Sequence, residues 1–269
     1  MAEASGEQCD ALVRLMERLR GEGGCPWDRE QTRQTLKPFL IEEAYEVVDA
    51  IDGEDPKQIM EELGDLLFQV VFHAQIASER GEFTIGQVLA ATTEKMVRRH
   101  PHVFGDSTAS TAGEVLEQWE ELKRKERDAA ATIPASALDG VPRELPGLLR
   151  AQRLQDKASR VGFDWPEISG VTAKIEEELG ELKEAIGAAA PEEIEEEFGD
   201  VLFSLVNLAR FLNLNAEEAL RKSITRFSAR FRYIEEAVQQ NGRCLSEVGL
   251  EEMERLWQQA KSHHRSSGG

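Results

Sequence analysis

Apolar residues recur along the chain at helical spacing. Leu36, Leu40, Ala44, Val47, Val48 and Ile51 form one stripe, and Ile59, Leu63, Leu66, Leu67 and Val70 the next, with the steps of three and four that an amphipathic helix requires. Alternating runs of the kind that mark a half-buried strand are absent, so the pattern predicts an all-α fold. Helix punctuation agrees: Asp55-Pro56 and Ala190-Pro191 place proline at a first helical position, and Thr111 to Glu114 has the spacing of a capping box. The expected helices lie near 32–52, 56–80, 84–101 and 111–130, then near 170–188, 191–213, 215–241 and 248–264. Their short connections favour antiparallel bundles.

The second set repeats the first. IEEAYE (41–46) returns as EEELGE (176–181) and PKQIMEELGDLLF (56–68) as PEEIEEEFGDVLF (191–203), both at an offset of 135 residues. Trp27 and Trp119 pair with Trp165 and Trp257 at an offset of 138. A repeat this long is a duplicated domain rather than a solenoid, whose units run to roughly 20–50 residues. The expected organisation is two homologous helical-bundle domains, 8–127 and 148–264, joined by a linker at 128–147 that holds Pro134, Pro142 and Pro146.

With 269 residues, 41% of them hydrophobic, the chain is large enough for two cores. Its net charge of −19 argues against nonspecific binding to nucleic acid or to an anionic membrane, since both need a basic face. No stretch approaches the roughly 20 apolar residues of a membrane span, and the N-terminus does not resemble a secretory signal. Three widely separated cysteines, Cys9, Cys25 and Cys244, form neither a disulfide framework nor a metal knuckle, and a reducing cytoplasm is expected.

Charge of one sign is concentrated in a repeated constellation. Glu42, Glu43 and Glu46 share one expected helix, with Glu62 and Asp65 on the next; Glu177, Glu178, Glu181, Glu197 and Asp200 repeat them. At about 100° per residue, with Leu40 at zero, Glu43 falls at about 300° and Glu46 at about 240°. Measured from Ile59, Glu62 and Asp65 fall at the same two angles, about 300° and about 240°. Both helices therefore carry carboxylates on the same flank of a buried stripe, and antiparallel packing aims the flanks together. A single such motif reads as an ordinary solvated face; a matched pair of motifs does not. Converging carboxylates repel unless a cation lies between them, and an all-oxygen donor set suits Mg²⁺ or Mn²⁺ better than zinc or copper. No Glu-x-x-His of the di-iron type precedes any histidine.

A carboxylate-held Mg²⁺ leaves positions for water and phosphate, which points to a phosphorylated small molecule such as a nucleotide. Basic residues recur to match. Lys95 and Arg99 stand one turn apart, as do Arg226 and Arg230, and Trp119 with Lys123 reappears as Trp257 with Lys261. The indoles either stack on a base or anchor the last helix of each domain to its core. GxxxxGK[ST], GxSxG and HExxH are all absent, and Cys25 in CPWD reads as a structural turn.

IEEAYEVVDAI, MEELGDLLFQVVFHA, KMVRRHPHVFGD and QWEELK, followed by GFDW, EEELGE, EEEFGD and WQQAK, resemble the two-domain MazG nucleoside triphosphate pyrophosphohydrolases over essentially the whole chain. The E-E-x-x-E and E-x-x-D pair alone is shared with all-α dUTPases and phosphoribosyl-ATP pyrophosphohydrolases; CPWD, RRHPHVF and the tandem copies narrow the resemblance. It implies an all-α homodimer that hydrolyses NTPs and dNTPs to monophosphate and pyrophosphate in nucleotide-pool housecleaning. It implies Mg²⁺ on Glu178, Glu181, Glu197 and Asp200, with Glu43, Glu46, Glu62 and Asp65 their counterparts. Glu177 and Glu42 would orient water or help hold a second ion. Arg226 stands where such proteins carry a lysine, with Lys222 one turn earlier. The competing expectation is a catalytically silent acidic scaffold that binds cations or a protein partner.

Overall fold

The structure is a computed structural model that describes residues 2–130 and 136–266; residues 131–135 of the expected linker lie outside the described residues. The fold is all-α, with no strand among the described residues. The chain divides into two compact units, Met1–Ala130 and Ala131–Gly269.

In the first unit, α1 (Ala2–Arg20) and a short α2 (Pro26–Glu30) precede the long pair α3 (Arg33–Gly53) and α4 (Pro56–Glu79). Next come α5 (Ile85–Arg99), the one-turn α6 (Pro101–Phe104) and α7 (Ala112–Ala130). Helix α3 begins at a capping box: the Thr35 N–H donates to Thr32 Oγ1 at 3.2 Å, and the Thr32 N–H to Thr35 Oγ1 at 2.9 Å. It ends where Glu54 turns left-handed (φ 54°), and Asp55 accepts from the Lys57 N–H at 2.9 Å to start α4 behind Pro56. So short a turn folds α4 back along α3. Helix α1 covers α4, and α5 links α4 to α7. The core is Met16, Leu36, Val71, Phe72 and Ile76.

One buried arginine ties this end together. Arg20 lies 5.3 Å above the Phe72 ring, donates to both Glu79 carboxylate oxygens at 2.8 and 2.7 Å, and caps the Asp28 carbonyl. The turn that leads into α2 depends on Gly24, where an added Cβ would lie 2.2 Å from the Leu19 carbonyl oxygen. Cys25 therefore serves a turn, its N–H donating to that same carbonyl at 2.8 Å.

The second unit repeats the plan. Helix α8 (Gly147–Ser159) crosses the pair α9 (Ile168–Ala188) and α10 (Pro191–Phe211) on the α10 side, and α11 (Ala216–Gln240) packs on α8. A 3-10 turn (Leu245–Glu247) leads to α12 (Leu250–Ser266), which lies on α11. Ile234, Val238 and Val248 form the core beneath α12, joined by Met253, Leu256 and Trp257. Arg210 grips Asp164 of the GFDW turn with both guanidinium nitrogens.

Three local expectations are corrected. The helix expected over 84–101 stops at Arg99, because Pro101 pushes His100 out of helical geometry (φ −119°, ψ 57°) and starts a separate turn. Thr111 Oγ1 does accept the Glu114 N–H at 3.2 Å, but the Glu114 carboxylate takes the N–H of Ser110 at 2.6 Å rather than that of Thr111. Within a single chain, Leu63 and Leu67 of the α4 stripe are about half exposed, and so are Phe198 and Leu205 on α10. The stripes are wider than one helix partner can cover.

Phe72 is 1% exposed and touches both Arg20 and Phe68. Phe72→Ala should lower unfolding free energy by about 3–5 kcal/mol, measured by urea denaturation; a loss under about 1 kcal/mol would show that this core is not continuous.

Candidate active site

Each long helix pair brings three carboxylates together. Glu43 on α3 meets Glu62 and Asp65 on α4, and Glu178 on α9 meets Glu197 and Asp200 on α10; in each trio the nearest oxygens all lie within 4.8 Å of one another. Glu62 and Asp65, like Glu197 and Asp200, are one turn apart and share a face. Glu46 and Glu181 stand outside these trios but on their edge, each sharing a hydrogen bond with its neighbour, Glu43 or Glu178. Glu42 and Glu177 are exposed beside them.

The electrostatics register the crowding. Partial burial, then the charge of Glu46, its hydrogen bond and Asp65, push the Glu43 carboxyl above the usual carboxylate range, while the buried Gln69 amide pulls it back. Glu62 is raised by desolvation and then by Glu46 and Asp65. Glu197 is raised by desolvation and then by Glu178 and Asp200, and Glu181 by desolvation and then by Glu197 and Glu178. A group of oxygens this close, with several members reluctant to ionise, fits a small hard divalent cation.

Lys174 lies at the site as well, at a position that the repeat does not mark because the first copy has Phe39 there. Its Nζ lies 2.8 Å from both Glu177 and Glu178, and those carboxylates raise its pKa against a smaller desolvation cost. The local signal was there, a lysine three and four residues ahead of two glutamates. The matching position in the first unit is Phe39, which instead meets Trp27 edge-on at 5.9 Å.

The basic and aromatic residues form a second group in each unit, carried by different helices. Arg99 on α5 lies 5.8 Å above the Trp119 ring on α7, and His100 meets the same indole at 4.7 Å. Arg98 and Arg99 both bind Glu126, and Lys123 pairs with Glu120 at 3.1 Å. In the second unit Arg230 on α11 lies 5.5 Å above Trp257 on α12, which also contacts Phe227. Arg226 is exposed, whereas Lys95 and Lys261 are half-buried. Lys222 is drawn to Glu218 at 3.1 Å. Trp257 packs against the core beneath α12, so it anchors that helix whatever else it does. Among the described residues, no ion pair joins these groups to the carboxylate trios.

Comparison with known proteins gives a consistent picture. The profile of the MazG nucleotide pyrophosphohydrolase domain matches residues 31–104 and again 168–234. The chain is 50% identical over 252 residues to a nucleoside triphosphate pyrophosphohydrolase/pyrophosphatase MazG of Thermotoga maritima, covering 94% of this chain and 95% of that one. It is 49% identical over 257 residues to a nucleoside triphosphate pyrophosphohydrolase of Escherichia coli, covering 94% and 97%. A protein of the same description from Mycolicibacterium smegmatis is 40% identical over 160 residues, 59% of this chain and 48% of its own. No helix among the described residues is long and apolar enough to cross a membrane.

Raised carboxyl pKa values mean that the metal-free folded state binds protons more tightly than the unfolded chain. The contribution of these carboxyls to its stability should therefore rise as pH falls from neutral through their folded pKa values toward 4.5. A divalent cation held there would displace these protons, so its stabilisation, about 2.7 kcal/mol at a hundredfold excess over Kd, should be full near pH 8 and fade as pH falls through the same window. Melting curves with Mg²⁺ and with chelator across that range check this; a shift independent of pH would contradict it.

Proposed function

The chain belongs to the MazG nucleotide pyrophosphohydrolase family, and from that premise we propose that it hydrolyses nucleoside triphosphates, ribo and deoxyribo alike, to monophosphate and pyrophosphate with Mg²⁺ or Mn²⁺. The observation that carries this reading is the twofold recurrence of a carboxylate trio on paired helices, each trio with oxygens within 4.8 Å of one another. Two lone surface motifs have no reason to converge in the same way.

In the second unit Glu178, Glu197 and Asp200 would hold the cation, with Glu181 completing the set. When bound, the metal polarises phosphate oxygens and makes water easier to deprotonate. Glu177, on the rim and oriented by Lys174, accepts the proton of the water that attacks the α-phosphorus. The new bond forms from water oxygen to α-phosphorus as the bridging bond to the β-phosphate breaks, and pyrophosphate departs with the electron pair. Arg226, Arg230 and Lys261 receive its negative charge, and Trp257 offers a face to the base. Glu43, Glu46, Glu62, Asp65 and Glu42, with Lys95, Arg99, Trp119 and Lys123, are the first-unit equivalents.

The half-exposed apolar positions of α4 and α10 support a homodimer in which a second chain covers them. Three free cysteines accord with a reducing cytoplasm, where nucleotide pools are housed.

Glu197→Ala or Asp200→Ala should reduce turnover at least ~100-fold with helical circular dichroism intact. Chromatography of wild-type products should show monophosphate and pyrophosphate from each NTP and dNTP, lost with chelator. Diphosphate and orthophosphate would mean attack at the γ-phosphorus, and absence of turnover would favour the acidic scaffold. Light scattering should give twice the 30.1 kDa chain mass; the monomer mass would refute the dimer.

A further inference from the structure

The two carboxylate trios differ in the positive charge that the chain itself supplies to them. In the second unit Lys174 Nζ stands 2.8 Å from Glu178 Oε1 and 2.8 Å from Glu177 Oε1, and the Glu178 that it neutralises is only 5% exposed. Lys174 lies one turn ahead of Glu178 on α9, so the contact is built into a single helix. A buried carboxylate without a partner is costly, and this ammonium lowers that cost with no metal present.

At the 135-residue offset that superposes the trios, the first unit has Phe39 in place of Lys174. Its ring meets Trp27 and packs against the core, and it brings no charge to Glu43, Glu62 or Asp65. That trio has Gln69 instead, one turn after Asp65 on α4 and 7% exposed, where the second unit has Ser204. The Gln69 amide donates to Glu43, and its Oε1 is buried with no hydrogen-bond donor. An orphaned oxygen beside three carboxylates is a further hard donor of the kind that a divalent cation satisfies.

We propose that Lys174 is a resident counter-ion that competes with the divalent cation for Glu178, so that the chain carries two cation sites of unlike affinity, a tight one in the first unit and a weaker one in the second. This rests on the reading of the trios as cation ligands. The ammonium occupies carboxylate lone pairs that a metal needs, and its charge repels a dication brought to the same oxygens. Lys174 must therefore move aside before an ion is held by Glu178, Glu197 and Asp200. In the first unit no lysine has to leave, and Gln69 gains a partner. Rising free cation fills the first unit before the second, whose buried glutamate stays charge-compensated until then.

The test measures each site alone in the full chain, with Glu62→Gln and Asp65→Asn leaving the second site and Glu197→Gln and Asp200→Asn leaving the first. Mn²⁺ affinity is read from the free ion by electron paramagnetic resonance. The first site should bind at least about tenfold more tightly than the second. Lys174→Met should tighten the second site by at least about tenfold while lowering the melting temperature of the metal-free protein. Lys174→Gln, which keeps a polar group for Glu178, serves as the second variant should the methionine unfold the unit. A gain in cation affinity together with a loss of metal-free stability is a pairing that a merely structural lysine does not give. Unchanged or weaker Mn²⁺ binding in the Lys174 variants, or a second site as tight as the first with Lys174 in place, would overturn the proposal and leave the cation reading standing. No uptake at either isolated site, with or without Lys174, would overturn both.

Discussion

Like charges held together with too little counter-charge are the constraint that organises this molecule. In each unit a sharp two-residue turn folds one long helix back on another, and the same turn that buries their apolar stripes forces three carboxylates to within 4.8 Å of one another. The protein neutralises that repulsion only in part. Glu43, Glu62, Glu181 and Glu197 answer it by holding their protons more tightly, with desolvation as the leading cause in each case. A divalent cation removes the conflict, and the bundle has the form of a frame that presents oxygens to one.

The two units answer the constraint differently, although their sequences run in parallel. The second holds Lys174 against Glu177 and Glu178, whereas the first has Phe39 at that position and relies on proton uptake and the Gln69 amide. The basic groups diverge in the opposite sense, with Glu126 and Glu120 saturating the first and Arg230 left with an orphan donor in the second.

Much of this was legible in the sequence because it is local. Helical period, proline at first helical positions and the one-turn spacing of Glu62 with Asp65 depend on residues a few positions apart, and they placed the long pairs to within a residue or two. The duplication then marked which carboxylates matter among a great surplus of acids. Lys174 is local in the same sense, three and four residues ahead of Glu177 and Glu178. Glu126 was not within reach: it meets Arg99 across 27 residues, on another helix, and no spacing rule covers that. The helical pattern runs on through His100, but the proline after it outweighs that pattern and ends the helix at Arg99. The apolar stripes named the faces that want cover but not what covers them, since a stripe is the same whether its partner is in the same chain or in another.

The central claim, that the matched carboxylates exist to hold a divalent cation, is tested most directly by titrating the chain with Mn²⁺ and following free ion by electron paramagnetic resonance. Wild type should take up Mn²⁺ in both units, Glu62→Gln with Asp65→Asn should remove the first-unit fraction, and Glu197→Gln with Asp200→Asn the second. Combining all four substitutions should abolish uptake with the helices intact. Undiminished binding by that combined variant would contradict the account, because the ion would then be held by some other part of an acidic surface.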